Sequence, residues 1–195
     1  MSLPAGNADA PLVAVYCSSR IEAGDPRYAR AQELGASLSR AGLRVATGGN
    51  TGLMEAISRG VTEAGGRPLG LTISGWDGLA ANRWVGLQVD SSDLFERLRR
   101  FSQVDLAIAI DGGVGTLLEA SLAWNMLQIG PGGRPLLLVG DHWSELLELL
   151  RRRFVVSDAD LALLRLLPGE PAPEAIVAAA REALAAPRSD AAGWR

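Results

Sequence analysis

Short runs of consecutive apolar residues, each followed by a segment with helical spacing, recur along the chain, and this recurrence constrains the fold more than any other feature. PLVAVYC (11–17) is followed by Tyr28, Ala31, Leu34 and Leu38 at helical intervals, and LRVATGG (43–49) by LMEAISRGVTEAGG. RPLGLTI (67–73) and WVGLQV (84–89) precede the charged segment SDLFERLRRFSQ (92–103). DLAIAI (105–110) precedes a helical stretch over 114–129, and RPLLLVG (134–140) leads into HWSELLELLRRRF, from which point the chain reads as helical. A strand apolar on both faces must be covered on both faces, which in a chain alternating strand and helix predicts a parallel sheet between two helical layers. The expected fold is α/β, a single doubly wound, Rossmann-like domain over 11–186, with a flexible start at 1–10 and a flexible tail at 187–195. In such a sheet ligands bind where strand ends pass into helix N-termini, so the loops after 16, 47 and 110 are the places to look.

Composition removes several chemistries. Cys17 is the only cysteine and His142 the only histidine, which excludes disulfides, Cys/His zinc sites and a histidine-based triad. There is no lysine, since all 19 basic residues are arginine, so a Schiff-base enzyme and a Walker-type phosphate loop are excluded too. Acid–base chemistry falls to carboxylates. A net charge of −3 offers no basic field for a nucleic-acid backbone, and no apolar run reaches the roughly 20 residues that span a bilayer. The N-terminal stretch lacks the pattern of a signal peptide. The expected setting is cytoplasmic, with a small phosphate-bearing ligand and with neither nucleic acid nor membrane as partner.

Two glycine-rich turns share one plan, TGGNTGLMEA (47–56) and DGGVGTLLEA (111–120). In each, paired glycines permit a tight turn with outward N–H groups, and a helix starts at once with its positive end beside those donors, an arrangement suited to a phosphate. Thr116 adds a hydroxyl, and Glu119 shares its helix face. The same Thr116-x-x-Glu119 pattern is also that of a capping box, which would satisfy helix-end donors and nothing more. The first turn, CSSRIEAG, lacks the G-x-G-x-x-G of dinucleotide binding, which disfavours a nicotinamide-dependent dehydrogenase.

Taken together and in order, VYCSSR (15–20), GGNTGLMEAISRG (48–60), ERLRRF (96–101) and DGGVGTLLEA resemble the LONELY GUY (LOG) family, formerly described as possible lysine decarboxylases, over roughly 12–140. The resemblance implies a Rossmann-like homodimer without metal or organic cofactor. It further implies a phosphoribohydrolase that splits a nucleoside 5′-monophosphate into free base and ribose 5-phosphate. Carried over by residue, Gly48, Gly49, Gly112, Gly113, Gly115 and Thr116 hold the phosphate or nucleotide, and Glu119 and Arg97 form the catalytic pair. Further candidates are Ser18, Ser19, Asn50, Thr51, Met54, Arg100 and Asp111. The chain departs from the family in three ways: Asp111 stands where the family has proline; Arg97 lies one residue closer to Asp105, which keeps Arg99 and Arg100 as rivals; and the first Gly-rich turn is shorter than in the plant-type enzymes, with SGWDGLAANRW (74–84) unmatched to their corresponding loop, so the base is not legible. Carriers of molybdenum cofactor, a phosphate-bearing pterin, share the fold. A non-catalytic carrier or nucleotide sensor using the same turns is therefore the second reading.

Cys17 is expected to be an unreactive thiol, and His142 a local cap or surface residue. Trp76 and Trp84 are candidates either to stack on a base or to be buried or dimer-facing, Trp124 to pack on a helix face or subunit contact, and Glu55 and Arg59 either to pair on the helix surface or to touch ligand.

Overall fold

The computed structural model describes residues 10–75, 80–130 and 133–186. The expected flexible start and tail, apart from Ala10, and Trp76 lie outside the described residues. Seven strands form one sheet: β1 (Leu12–Tyr16), β2 (Arg44–Thr47), β3 (Leu69–Ile73), β4 (Leu87–Ser91), β5 (Leu106–Ala109), β6 (Leu136–Val139) and β7 (Arg165–Leu167). Their order is β4-β3-β2-β1-β5-β6-β7, and every neighbouring pair is parallel. The helices are α1 (Pro26–Arg40), α2 (Leu53–Glu63), α3 (Leu94–Phe101), α4 (Val114–Ile129), α5 (Asp141–Arg153), α6 (Asp158–Leu161) and α7 (Pro173–Ala185).

Strand side chains alternate between two cores. Val13 and Val15 of β1, with Ile108 of β5, pack with α1, α2 and α7, for which Tyr28, Leu34, Leu38, Ile57 and Ile176 supply the helical faces. Ala14 and Tyr16, with Ala107 and Ala109, face the other way with Phe101, Ala120 and Trp143. This is the two-sided burial that the consecutive apolar runs require. α1 and α2 approach closely because glycines stand at their contact: a Cβ on Gly60 would lie 1.8 Å from the Gln32 carbonyl oxygen, and one on Gly35 would lie 2.3 Å from that of Ile57.

Three expectations need correction. The fourth strand begins at Leu87 rather than 84, because the Val85 N–H bonds back to the Asn82 carbonyl at 3.1 Å in a turn; once formed, β4 is an edge strand with alternating exposure. The stretch after 153 is not continuously helical. A capping box at Ser157 and Asp160 starts the short α6, and β7 then adds a strand beside β6. Arg59 pairs with Glu63 at 2.8 Å, one turn on, rather than with Glu55.

The chain runs outward from β1 to β4 and then returns to place β5 on the other side of β1. That reversal opens a crevice above the carboxyl ends of β1 and β5.

Candidate functional site

A cleft of about 400 Å³ fills this crevice. Its walls come from the turn after β1 (Cys17, Ser18, Ser19), the turn after β2 (Gly48, Asn50, Met54), Arg97 of α3, and the start of α4 (Gly113, Gly115, Thr116, Glu119). The turns interlock through main-chain contacts. The Ser18 N–H donates to the Asp111 carbonyl at 2.9 Å, and the Leu53 N–H to the Ser18 carbonyl at 2.9 Å. Gly52, at φ +67°, closes this junction: a Cβ there would stand 2.5 Å from the Ser19 carbonyl carbon.

α4 starts at Val114 with Gly113 as its N-cap, and no side chain caps it. Thr116 is therefore the third helical residue, which removes the capping-box alternative, since that box needs its threonine at the cap position. The uncapped N–H groups and the positive end of a 16-residue helix face the cleft, an arrangement suited to an anion. Gly112 lies beneath Thr116: a Cβ would sit 2.1 Å from its hydroxyl oxygen, so glycine is what lets the threonine fold over the turn.

Arg97 reaches the same place from α3. Its Nε donates to the Leu71 carbonyl at 2.7 Å, its guanidinium carbon lies 5.1 Å over the Phe101 ring, and its NH1 stands 3.5 Å from Glu119 Oε1. Its NH2 passes over Gly48, where a Cβ would come within 2.0 Å of it. Glu119 is 6% exposed. Burial pushes its carboxyl up from the ordinary 4.5 to about 7, against the opposing pull of the Arg97 guanidinium. The result is a desolvated carboxylic acid poised to gain or lose a proton near neutrality, with a guanidinium beside it and the uncapped start of α4 in the same cleft.

The sequence profile of the SLOG cluster4 family matches residues 11–129, well over half of the chain. The chain belongs to the SLOG cluster4 family. The SLOG match spans every residue of the cleft and ends with α4. None of the characterised, curated proteins matches the sequence. Among solved structures, this SLOG protein is similar to the molybdenum cofactor carrier protein of Chlamydomonas reinhardtii, with TM-score 0.70 and 21% identity over 91% of this chain and 99% of that one. It is similar to the molybdenum cofactor binding protein of Rippkaea orientalis, with TM-score 0.69 and 21% identity over 89% and 96%. It is also similar to DNA processing protein A of Helicobacter pylori, described for its single-stranded DNA binding, with TM-score 0.57 and 15% identity over 89% and 82%. At these identities the likeness is one of fold, and the LOG resemblance widens to the SLOG family.

Within this SLOG site, several expected residues lie elsewhere. Arg100 is buried, but its guanidinium turns to β4, bonding Ser91 Oγ at 3.1 Å and Glu96 at 2.6 Å, because i+3 from Arg97 carries it past the cleft. Arg99 is exposed. The Asp111 carboxylate faces away, 3.6 Å from Arg27 NH1, so it does not oppose an anion at α4. Thr51 spends its hydroxyl on the Ser19 carbonyl at 3.0 Å, and Gly49, at φ +76°, packs on Gly70 and Thr72 of β3. Trp84 packs against the guanidiniums of Arg59 and Arg83, 5.5 and 4.9 Å from its ring, rather than lining the cleft, and Trp124 donates to the Asp160 carbonyl at 2.9 Å. Cys17 borders the cleft, but its side chain is buried in the core, and burial with the nearby Glu119 and Asp111 pushes the thiol pKa up, which leaves it protonated and unreactive.

Sequence reasoning missed the Leu71 carbonyl that holds Arg97 and the apolar wall residues Ile73, Leu94 and Leu118. It also missed Asn82, whose side-chain amide binds the Gly49 and Asn50 carbonyls at 3.0 and 2.8 Å. A backbone acceptor carries no side-chain signature, and an asparagine far along the chain gives no sign of which turn it will brace.

Proposed function

We propose that this protein is a LOG-like nucleoside 5′-monophosphate phosphoribohydrolase. The observation that carries the reading is the approach of Arg97 to a buried Glu119, at 3.5 Å, beside the uncapped start of α4. The 5′-phosphate sits on the N–H groups of Gly113, Gly115 and Thr116, which places the ribose over Glu119. Cleavage of the N-glycosidic bond builds positive charge on the sugar, and the ionised Glu119 stabilises that charge and orients the attacking water. Arg97 holds the carboxylate in place and keeps part of it ionised at neutral pH. The apolar wall at Met54, Ile73 and Leu94 covers the base. Incubation with a panel of purine and pyrimidine monophosphates yields free base and ribose 5-phosphate, and no release from any of them overturns the reading.

The second reading is a carrier of a phosphate-bearing pterin, favoured by the near-complete coverage of the two molybdenum cofactor proteins. It uses the α4 N-terminus without needing the Arg97 and Glu119 pair. Protein purified from its native host then carries a pterin, detectable by fluorescence after oxidation, and releases no base from any nucleotide.

The protein acts as a homodimer in this proposal. α4 turns Thr116 and Glu119 into the cleft and leaves Val114, Leu117 and Leu118 exposed beside the cleft mouth, an apolar patch that a second copy of the helix would cover.

A further inference from the structure

A second pocket, of about 240 Å³, opens at the same end of the sheet, where β5, β6 and β7 end against α1 and α7. Its floor is aliphatic, made by Leu34, Ile110, Val139 and Ile176. Its rim carries both signs of charge. α1 supplies Arg27 and Arg30, the ends of β5 and β6 supply Asp111 and Asp141, and the loop before α7 supplies Glu170; His142 completes the rim. Asp111, which stands where the resembling family has proline, thus places its carboxylate in this pocket and not in the cleft.

The rim groups are only partly committed to one another. Arg27 is gripped by Asp25 at 2.6 Å and approaches Asp111 at 3.6 Å, longer than a hydrogen bond. Arg30 pairs with Glu170, whose side chain is 71% exposed, and such a surface pair is readily exchanged. Asp141 accepts the Gly169 N–H at 2.7 Å, which ties the loop across the pocket. A simple anion meets three carboxylates here and a simple cation meets two guanidiniums, whereas a molecule that carries both charges on an apolar body satisfies rim and floor together.

We propose that this pocket binds a free α-amino acid with an aliphatic or aromatic side chain. Its carboxylate replaces Glu170 on Arg30, its ammonium lies against Asp111, and its side chain covers the Leu34, Ile110, Val139 and Ile176 floor. The main-chain carbonyl of Asp111 also accepts the Ser18 N–H of the cleft at 2.9 Å, so the occupant is joined to the first site through one residue. This inference does not rest on the hydrolase reading.

Titration calorimetry of the full chain with L-leucine and L-phenylalanine tests it, alongside 4-methylpentanoate, which lacks the ammonium, and 3-methylbutylamine, which lacks the carboxylate. Binding of an amino acid, with each truncated analogue weaker by about tenfold or more, is the expected result. Asp111→Asn and Arg30→Gln each weaken leucine binding by about tenfold. Absence of binding by both amino acids, or analogues that bind as tightly as leucine, overturns the proposal, and both outcomes are read on the unsubstituted protein whether or not the variants fold.

Discussion

Glu119 has two duties that pull against each other, and pH separates them. Its carboxyl titrates at about 7 in the fold and near 4.5 in an unfolded chain. Between those values the unfolded chain has released its proton while the folded one retains it, so stability falls as pH rises through that window, by up to about 3 kcal/mol, and is level above it. Urea unfolding from pH 4 to pH 8 should show this decline, and Glu119→Gln should flatten it. Activity runs the opposite way, because the ionised form is the one proposed to stabilise the sugar cation. Base release should rise with pH through an apparent pKa near 7 and be abolished in Glu119→Gln. A slope in stability that survives the substitution would assign the titration to another group. Gly48→Ala probes Arg97 without touching it. The new methyl meets the far end of a flexible side chain rather than backbone, so the fold tolerates it while Arg97 is pushed off Glu119. Base release should drop by about tenfold or more, with a urea midpoint close to that of the parent protein.

At the scale of elements, the contact of α1 with α2 depends on Gly35 and Gly60, and here a Cβ meets main chain that cannot move aside. Gly60→Ala gains about 1 kcal/mol of helix propensity and still loses, since overpacking against the Gln32 carbonyl costs about 3 kcal/mol. A urea midpoint at or above that of the parent protein would refute this account of the packing. α2 also delivers the β2 turn to the cleft, so the same variant should weaken nucleotide binding, in contrast with Gly48→Ala, which spares stability.

For the molecule as a whole, α4 poses the main imbalance. Its first turns expose Leu117 and Leu118, Val114 is 86% exposed, and Phe95 of α3 is 78% exposed. Light scattering on a sizing column should give twice the 20.5 kDa chain mass, and Leu117→Asp should halve it. A monomeric parent protein would leave α4 without its proposed partner. Among the described residues no helix is long and apolar enough to cross a membrane.

The amino-acid sequence by itself determined the layer plan, because runs such as LVAVY and LAIA are apolar at every position and only a sheet covered on both faces hides them. It also determined that the turns at 48–52 and 112–116 lead straight into helices, since glycine pairs and apolar spacing are local properties. Tertiary structure alone decided which arginine reaches Glu119. Arg97, Arg99 and Arg100 are alike in the chain, and a helix rotates each by a fixed angle to its neighbour, so docking α3 on β3 sends one to the cleft, one to solvent and one to β4. Asp111 was settled the same way: its main chain belongs to one pocket and its carboxylate to another, a division that depends on where α1 places Arg27 and that no pattern of neighbouring letters encodes.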